Sequence, residues 1–124
     1  MIYLDKHVVL WLHAGLVDRF TAQGRRMLEQ DDLLISPPVK LELQFLFEIG
    51  RSSVPADEVV GDLEGQIGLT VCNLPFDTVV SRAFTLNWAR DPFDRLITAH
   101  ALCRSIPLLT KDETVRRRVK LAVW

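Results

Sequence analysis

The sequence predicts an α/β fold in which a parallel sheet is covered by helices on both faces. Two observations lead there. Five short segments, Ile2-Tyr3-Leu4, Leu33-Leu34-Ile35, Leu69-Thr70-Val71-Cys72, Leu108-Leu109 and Leu121-Ala122-Val123, are apolar nearly throughout instead of alternating. That is the pattern of strands buried on both faces. Between them lie stretches with helical periodicity and helix start signals, so strands and helices alternate along the chain. Such alternation gives an α/β/α sandwich with right-handed crossovers. The 124 residues suit a single domain spanning 1-124, and no linker, repeat or low-complexity tract divides them.

The elements follow in order. The first strand, Ile2 to Leu4, ends at Asp5. Val8-Val9-Leu10-Trp11-Leu12 starts a short apolar helix that Gly15 breaks. A second helix is predicted from about Thr21 to Gln30, with Arg25 and Arg26 on its exposed side. After the strand at Leu33, Ser36-Pro37 is a cap-then-proline start, and the helix runs to about Ile49, where Gly50 closes it. Arg51-Ser52-Ser53 is a loop, and a polar helix covers about Pro55 to Gln66. A helix from about Asp77 to Trp88 leads into the turn Arg90 to Asp94. There Asp91 is the N-cap and Pro92 takes the first helical position, where its missing N–H costs nothing. Phe93, Leu96, Ile97, His100 and Ala101 then form one apolar stripe. Thr114 to Val119 is a short basic helix or turn before the last strand.

Composition sets bounds on function. Hydrophobic residues make up 48% of the chain, enough for a real core, and charged residues 25%. The formal net charge of −1 gives no global attraction to nucleic acid, so any such binding rests on a local patch. Cys72 and Cys103 lack metal-ligand spacing and read as buried free thiols of a reducing cytosol. No apolar run approaches the roughly 20 residues of a membrane span. The N-terminus has no basic stretch of the kind that opens a secretion signal, so a cytoplasmic location is expected.

Four carboxylates stand out. Asp5 and Asp112 follow strands directly, at the carboxyl ends where open α/β sheets place their ligand sites. Asp94 lies in the first turn of its helix, where the helix dipole favours a negative charge. Glu42 falls between Leu46 and Ile49 on the apolar face that also carries Val39 and Leu43. A carboxylate there is costly unless it is paired, hydrogen-bonded or bound to a metal. Capping alone would also account for Asp91, Asp94 and Asp112, and Glu42 at the edge of its stripe could reach water. If the four converge on one rim, their repulsion calls for cations between them, and an oxygen-only ligand set suits Mg²⁺ or Mn²⁺. Such sites carry out phosphoryl chemistry on nucleic acids.

Asp5 after a short N-terminal strand, Ser36-Pro37-Pro38-Val39-Lys40-Leu41-Glu42, Asp91-Pro92-Phe93-Asp94-Arg95-Leu96-Ile97 and Leu108-Leu109-Thr110-Lys111-Asp112-Glu113 together resemble the PIN-domain ribonucleases. More narrowly they resemble the VapC-type toxins of bacterial toxin–antitoxin pairs. The resemblance covers essentially the whole chain, with four motifs in register. It implies a PIN-like α/β/α sandwich with a five-stranded parallel sheet. It implies Mg²⁺- or Mn²⁺-dependent RNA cleavage leaving a 5′-phosphate and a 3′-hydroxyl. Asp5, Glu42 and Asp94 match the three main acidic positions, Asp112 the fourth and Asp91 an accessory one. The resemblance also implies a homodimer and a cognate antitoxin whose C-terminal segment enters the site.

One position departs from the family pattern. Lys6 stands where the family usually has Thr or Ser. Its ammonium would either compete with a metal for the carboxylates, so that metal binding and RNA cleavage are attenuated, or point away to bind RNA phosphate. A PIN-like module that binds RNA or a partner with little or no cleavage is therefore the alternative reading. A phosphorylation-receiver domain fits poorly, because Asp5 has no acidic neighbour and Cys72-Asn73 follows the third strand. His7, His13 and His100 are isolated, and no Ser or Cys pairs with them in a triad. Trp11, Trp88 and Trp124 read as core or dimer-interface aromatics. Arg116, Arg117 and Arg118 either contact RNA phosphates or form a solvated basic face.

Overall fold

The computed structural model describes all 124 residues. In chain order the elements are β1 (Ile2–Leu4), α1 (Lys6–His13), a 3-10 turn (Val17–Arg19), α2 (Ala22–Gln30), β2 (Leu33–Ile35) and α3 (Pro37–Glu48). They continue with α4 (Ala56–Ile67), β3 (Thr70–Val71), α5 (Phe76–Ala83), α6 (Pro92–Arg104), β4 (Leu108–Leu109), α7 (Glu113–Arg118) and β5 (Ala122–Val123). The five strands pair in parallel in the order β3-β2-β1-β4-β5, which puts the first strand at the centre. This is the expected α/β/α architecture.

Register explains why one rim collects the polar residues. Tyr3 lies opposite Leu34 on one side and Leu108 on the other. Two residues further on, Asp5, Ser36 and Thr110 therefore stand side by side just beyond the strands' carboxyl ends. The Asp5 amide still donates to the Leu109 carbonyl at 3.1 Å, so the row is held to the sheet. Below it, Ile2, Leu4, Ile35 and Leu109 are fully buried. They join Val8 and Val9 of α1, Val39 and Leu43 of α3, and Val59 and Leu63 of α4 in one core. A smaller cluster, Val79, Ala83, Leu86 and Ala99, seals α5 against α6.

Several boundaries differ from the sequence reading for local reasons. Helix α1 starts at Lys6, because the Asp5 carboxylate accepts the Lys6 N–H at 2.7 Å and caps it. Ser36 occupies the cap position of α3, yet its hydroxyl is buried without a partner. Pro38 follows at the second helical position and has no N–H to offer. The stripe of α3 is buried only in its first half: Val39, Glu42 and Leu43 are covered, whereas Ile49 is exposed. Helix α5 ends at Ala83, short of Trp88. Trp11, Phe20 and Trp124 form one aromatic cluster with ring centres 5.7 to 6.1 Å apart, Trp124 edge-on to the other two. No helix is long and apolar enough to cross a membrane.

Candidate acidic centre

Asp5 is held at the central strand's end by two kinds of contact. Its Oδ1 caps α1, and its Oδ2 accepts the Thr110 hydroxyl at 2.6 Å. Thr110 in turn accepts the Asp112 N–H at 3.1 Å, linking β1 to the turn after β4. The Asp112 carboxylate caps α7 by accepting the Val115 N–H at 2.9 Å. Asp112 thus adjoins Asp5 through Thr110, with its own carboxylate engaged as a cap. Asp91 also caps, accepting the Asp94 N–H at 3.1 Å. The carboxylate of Asp94 does not return to Asp91 as a capping box would. It turns to Lys6.

The Lys6 ammonium lies among three carboxylates. Nζ stands 2.9 Å from Asp94 Oδ1, 3.4 Å from Glu42 Oε1 and 3.7 Å from Asp5 Oδ1. Of the two orientations open to Lys6 in the sequence, the structure shows the one turned towards the acids. The lysine and Glu42 side chains are each only 10% exposed, so solvent screens these contacts weakly. Glu42 is buried on the α3 face that packs towards α1 and α6, as its place in the stripe required. Its second oxygen, Oε2, is buried with no hydrogen-bond partner.

The charges do not balance. Burial alone would lower the Lys6 pKa, but the carboxylates of Asp5, Asp94 and Glu42 outweigh it and hold the ammonium above its ordinary value. Burial pushes Glu42 up to about 7, against the attraction of Lys6 and with the repulsion of Asp5 and Asp94. Burial likewise raises Asp94, in spite of its ion pair with Lys6. Glu42 and Asp94 are thus held up chiefly by burial, and Lys6 by the carboxylates around it. Glu42 stands farther from the ammonium than Asp94 does, and its second oxygen has no partner.

Glu42, Asp91 and Asp94 each present a carboxylate oxygen within 4.8 Å of the others, a spacing that one cation could bridge. Hard oxygen donors of this kind fit Mg²⁺ or Mn²⁺, and the unpartnered Glu42 Oε2 is a ligand atom without a tenant. A groove of about 600 Å³ runs from Lys6 and Glu42 between α1 and α3, past Trp11, Phe45 and Ile49. Thr110 is the residue that sequence reasoning passed over. Its signal was a hydroxyl at the end of an apolar strand, one step from where Asp5 ends its own.

The PIN domain family pattern matches residues 2–121, and the chain belongs to this family. Its fold is shared with three solved assemblies. Over its whole length the chain aligns with VapBC2 from Rickettsia felis, solved bound to a DNA fragment from their promoter (TM-score 0.70, 17% identity, 98% of that chain). It aligns equally fully with a toxin–antitoxin complex from Klebsiella pneumoniae (0.62, 12%, 97%) and with VapBC-1 from nontypeable Haemophilus influenzae (0.59, 17%, 96%). The VapC-type resemblance read in the sequence therefore holds at the level of fold. No curated protein matches the chain in sequence.

Proposed function

We propose that this chain is the toxin of a toxin–antitoxin pair and acts as a metal-dependent RNA endonuclease. The observation that carries the reading is the gathering of Asp5, Glu42, Asp91 and Asp94 at one rim, from the end of one strand and from two helices. Membership of the PIN family and the fold shared with VapBC assemblies support it. Glu42, Asp91 and Asp94 would hold a divalent ion, Mg²⁺ or Mn²⁺. When bound, such an ion neutralises charge on a scissile phosphate and lowers the pKa of a water for attack. Thr110 holds Asp5 in position, and Asp112 stiffens the adjoining turn. Lys111 and the basic last turn of α7, Arg116 to Arg118, would meet the RNA backbone.

The partners follow from the surface. The groove between α1 and α3 ends at the acids and exposes Phe45 and Ile49 along its wall, which suits an amphipathic antitoxin segment. Phe76 at the start of α5 and Phe84 just past its end are 65% and 72% exposed and offer apolar surface to a second copy of the chain. The site of action would be the cytoplasm, where RNA is available.

A direct test is cleavage of total RNA with Mn²⁺ against EDTA, using Asp94→Asn as control. Cleavage by the wild type with Mn²⁺, abolished in the variant while circular dichroism shows an intact fold, is the expected outcome. Equal cleavage by both proteins would show that the acids are not the centre. RNA binding without cleavage would favour the alternative, a PIN-like module that binds RNA or a partner, which the ammonium among the carboxylates specifically favours.

A further inference from the structure

The carboxylates of the centre divide between two cation positions. Around the first stand Asp5 Oδ1, Glu42 Oε1 and Asp94 Oδ1, and the Lys6 ammonium fills it at 3.7, 3.4 and 2.9 Å. Around the second stand Glu42, Asp91 and Asp94, whose oxygens lie within 4.8 Å of one another and which do not include Asp5. Glu42 and Asp94 belong to both. Glu42 Oε1 faces the ammonium, while the buried Oε2 has no partner, a costly state for a carboxylate oxygen unless a cation or donor completes it.

We infer that Lys6 is a built-in cation for the Asp5 side of the centre, so that a single divalent ion binds off-centre, at Glu42, Asp91 and Asp94. The inference rests on the metal-binding reading above and adds where the ion sits and how many there are. Charge supports one ion. Leaving aside Asp112, whose carboxylate caps α7, the four acids Asp5, Glu42, Asp91 and Asp94 carry four negative charges against one ammonium, and a divalent ion brings this group to a single net negative charge. A second ion would leave it net positive and set two divalent charges beside the ammonium, a repulsion that grows as dielectric falls. Geometry supports the same count. Lys6 is the first residue of α1, pinned by its N–H to Asp5, and its side chain is nine-tenths covered. The ammonium therefore stays between Asp5 and Asp94, hydrogen-bonded to Asp94 Oδ1, and Asp91, at the open lip of the centre, becomes a ligand besides capping α6.

The test is titration of the full chain with Mn²⁺ alone, the free ion followed by electron paramagnetic resonance. The wild type should bind one ion per chain. Asp91→Asn should weaken that binding roughly tenfold or more, since Asn keeps the capping oxygen but not the charge. Lys6→Met, of similar length and uncharged, should bind roughly tenfold tighter and take a second ion, because the Asp5 position is then open. Lys6→Thr gives the same readout should the Met variant fail to fold. No bound ion in the wild type, wild-type affinity in Asp91→Asn, or unchanged binding on removing the Lys6 charge would each overturn the inference. RNA cleavage separates the two proposals. A chain that shows this binding pattern and leaves RNA intact contradicts the nuclease reading alone. A chain that cleaves RNA with two ions bound contradicts this one alone.

Discussion

Thr110 is fully buried, and its single hydroxyl serves two residues of the rim. It donates to Asp5 Oδ2 at 2.6 Å and accepts from the Asp112 amide at 3.1 Å. Thr110→Val keeps the shape and strands both partners, so unfolding by urea should show a loss of about 1 to 3 kcal/mol. Thr110→Ser, which retains the hydroxyl, should recover most of it. A loss below about 0.5 kcal/mol in the Val variant would mean that water replaces the hydroxyl and that Asp5 is not fixed by it. At this scale the sequence is uneven as a guide. Glu42 was legible because a carboxylate among Val39, Leu43 and Leu46 breaks a helical pattern. The place of Lys6 was not, because four torsions let an ammonium reach towards the acids or away from them. Thr110 gave almost no signal, since a threonine at a strand end is ordinary.

Helices were legible where a cap and an apolar stripe coincide. Asp91-Pro92 marks the start of α6 to the residue, with the Asp91 side chain accepting from Asp94. The start of α1 was displaced because Lys6 and His7 are polar and precede the apolar run at Val8, although Asp5 caps the helix. The 3-10 turn Val17–Arg19 has no period to read. Helix α6 also carries a pH dependence. His100 is 3% exposed, with Nδ1 3.4 Å from the Tyr3 hydroxyl, and burial, then Arg104, pushes its pKa below the ordinary 6.5. The unfolded chain therefore takes up this proton near 6.5, and the folded chain only at lower pH. Between the two values the unfolded state binds more protons, so this contribution to stability is full above that window and falls as the pH drops through it. Thermal unfolding between pH 7.5 and 5.5 should show a shallower decline in His100→Gln than in the wild type. Parallel curves would show that the buried imidazole does not carry the dependence.

Over the whole molecule, the five strands and the intervening helices could be read from apolar runs, but their order could not. The order β3-β2-β1-β4-β5 comes from crossovers that return the chain to both sides of β1, and only that order sets Asp5 between Ser36 and Thr110. It also brings the starts of α1 and α6 and the buried face of α3 to one rim, so residues 5, 6, 42, 91 and 94 meet although they are scattered over most of the chain. A net charge of −1 conceals this concentration, because its compensation lies elsewhere on the surface. On the proposal made above, this rim is a cation-binding centre shared between an ammonium and one divalent ion. The most direct measurement is anomalous diffraction from crystals of the wild-type protein soaked in Mn²⁺. One anomalous peak is expected at the rim, ligated by Glu42, Asp91 and Asp94, with Lys6 Nζ still between Asp5 and Asp94. A peak centred on Asp5 with Lys6 swung away, or no peak at the rim, would contradict the proposal.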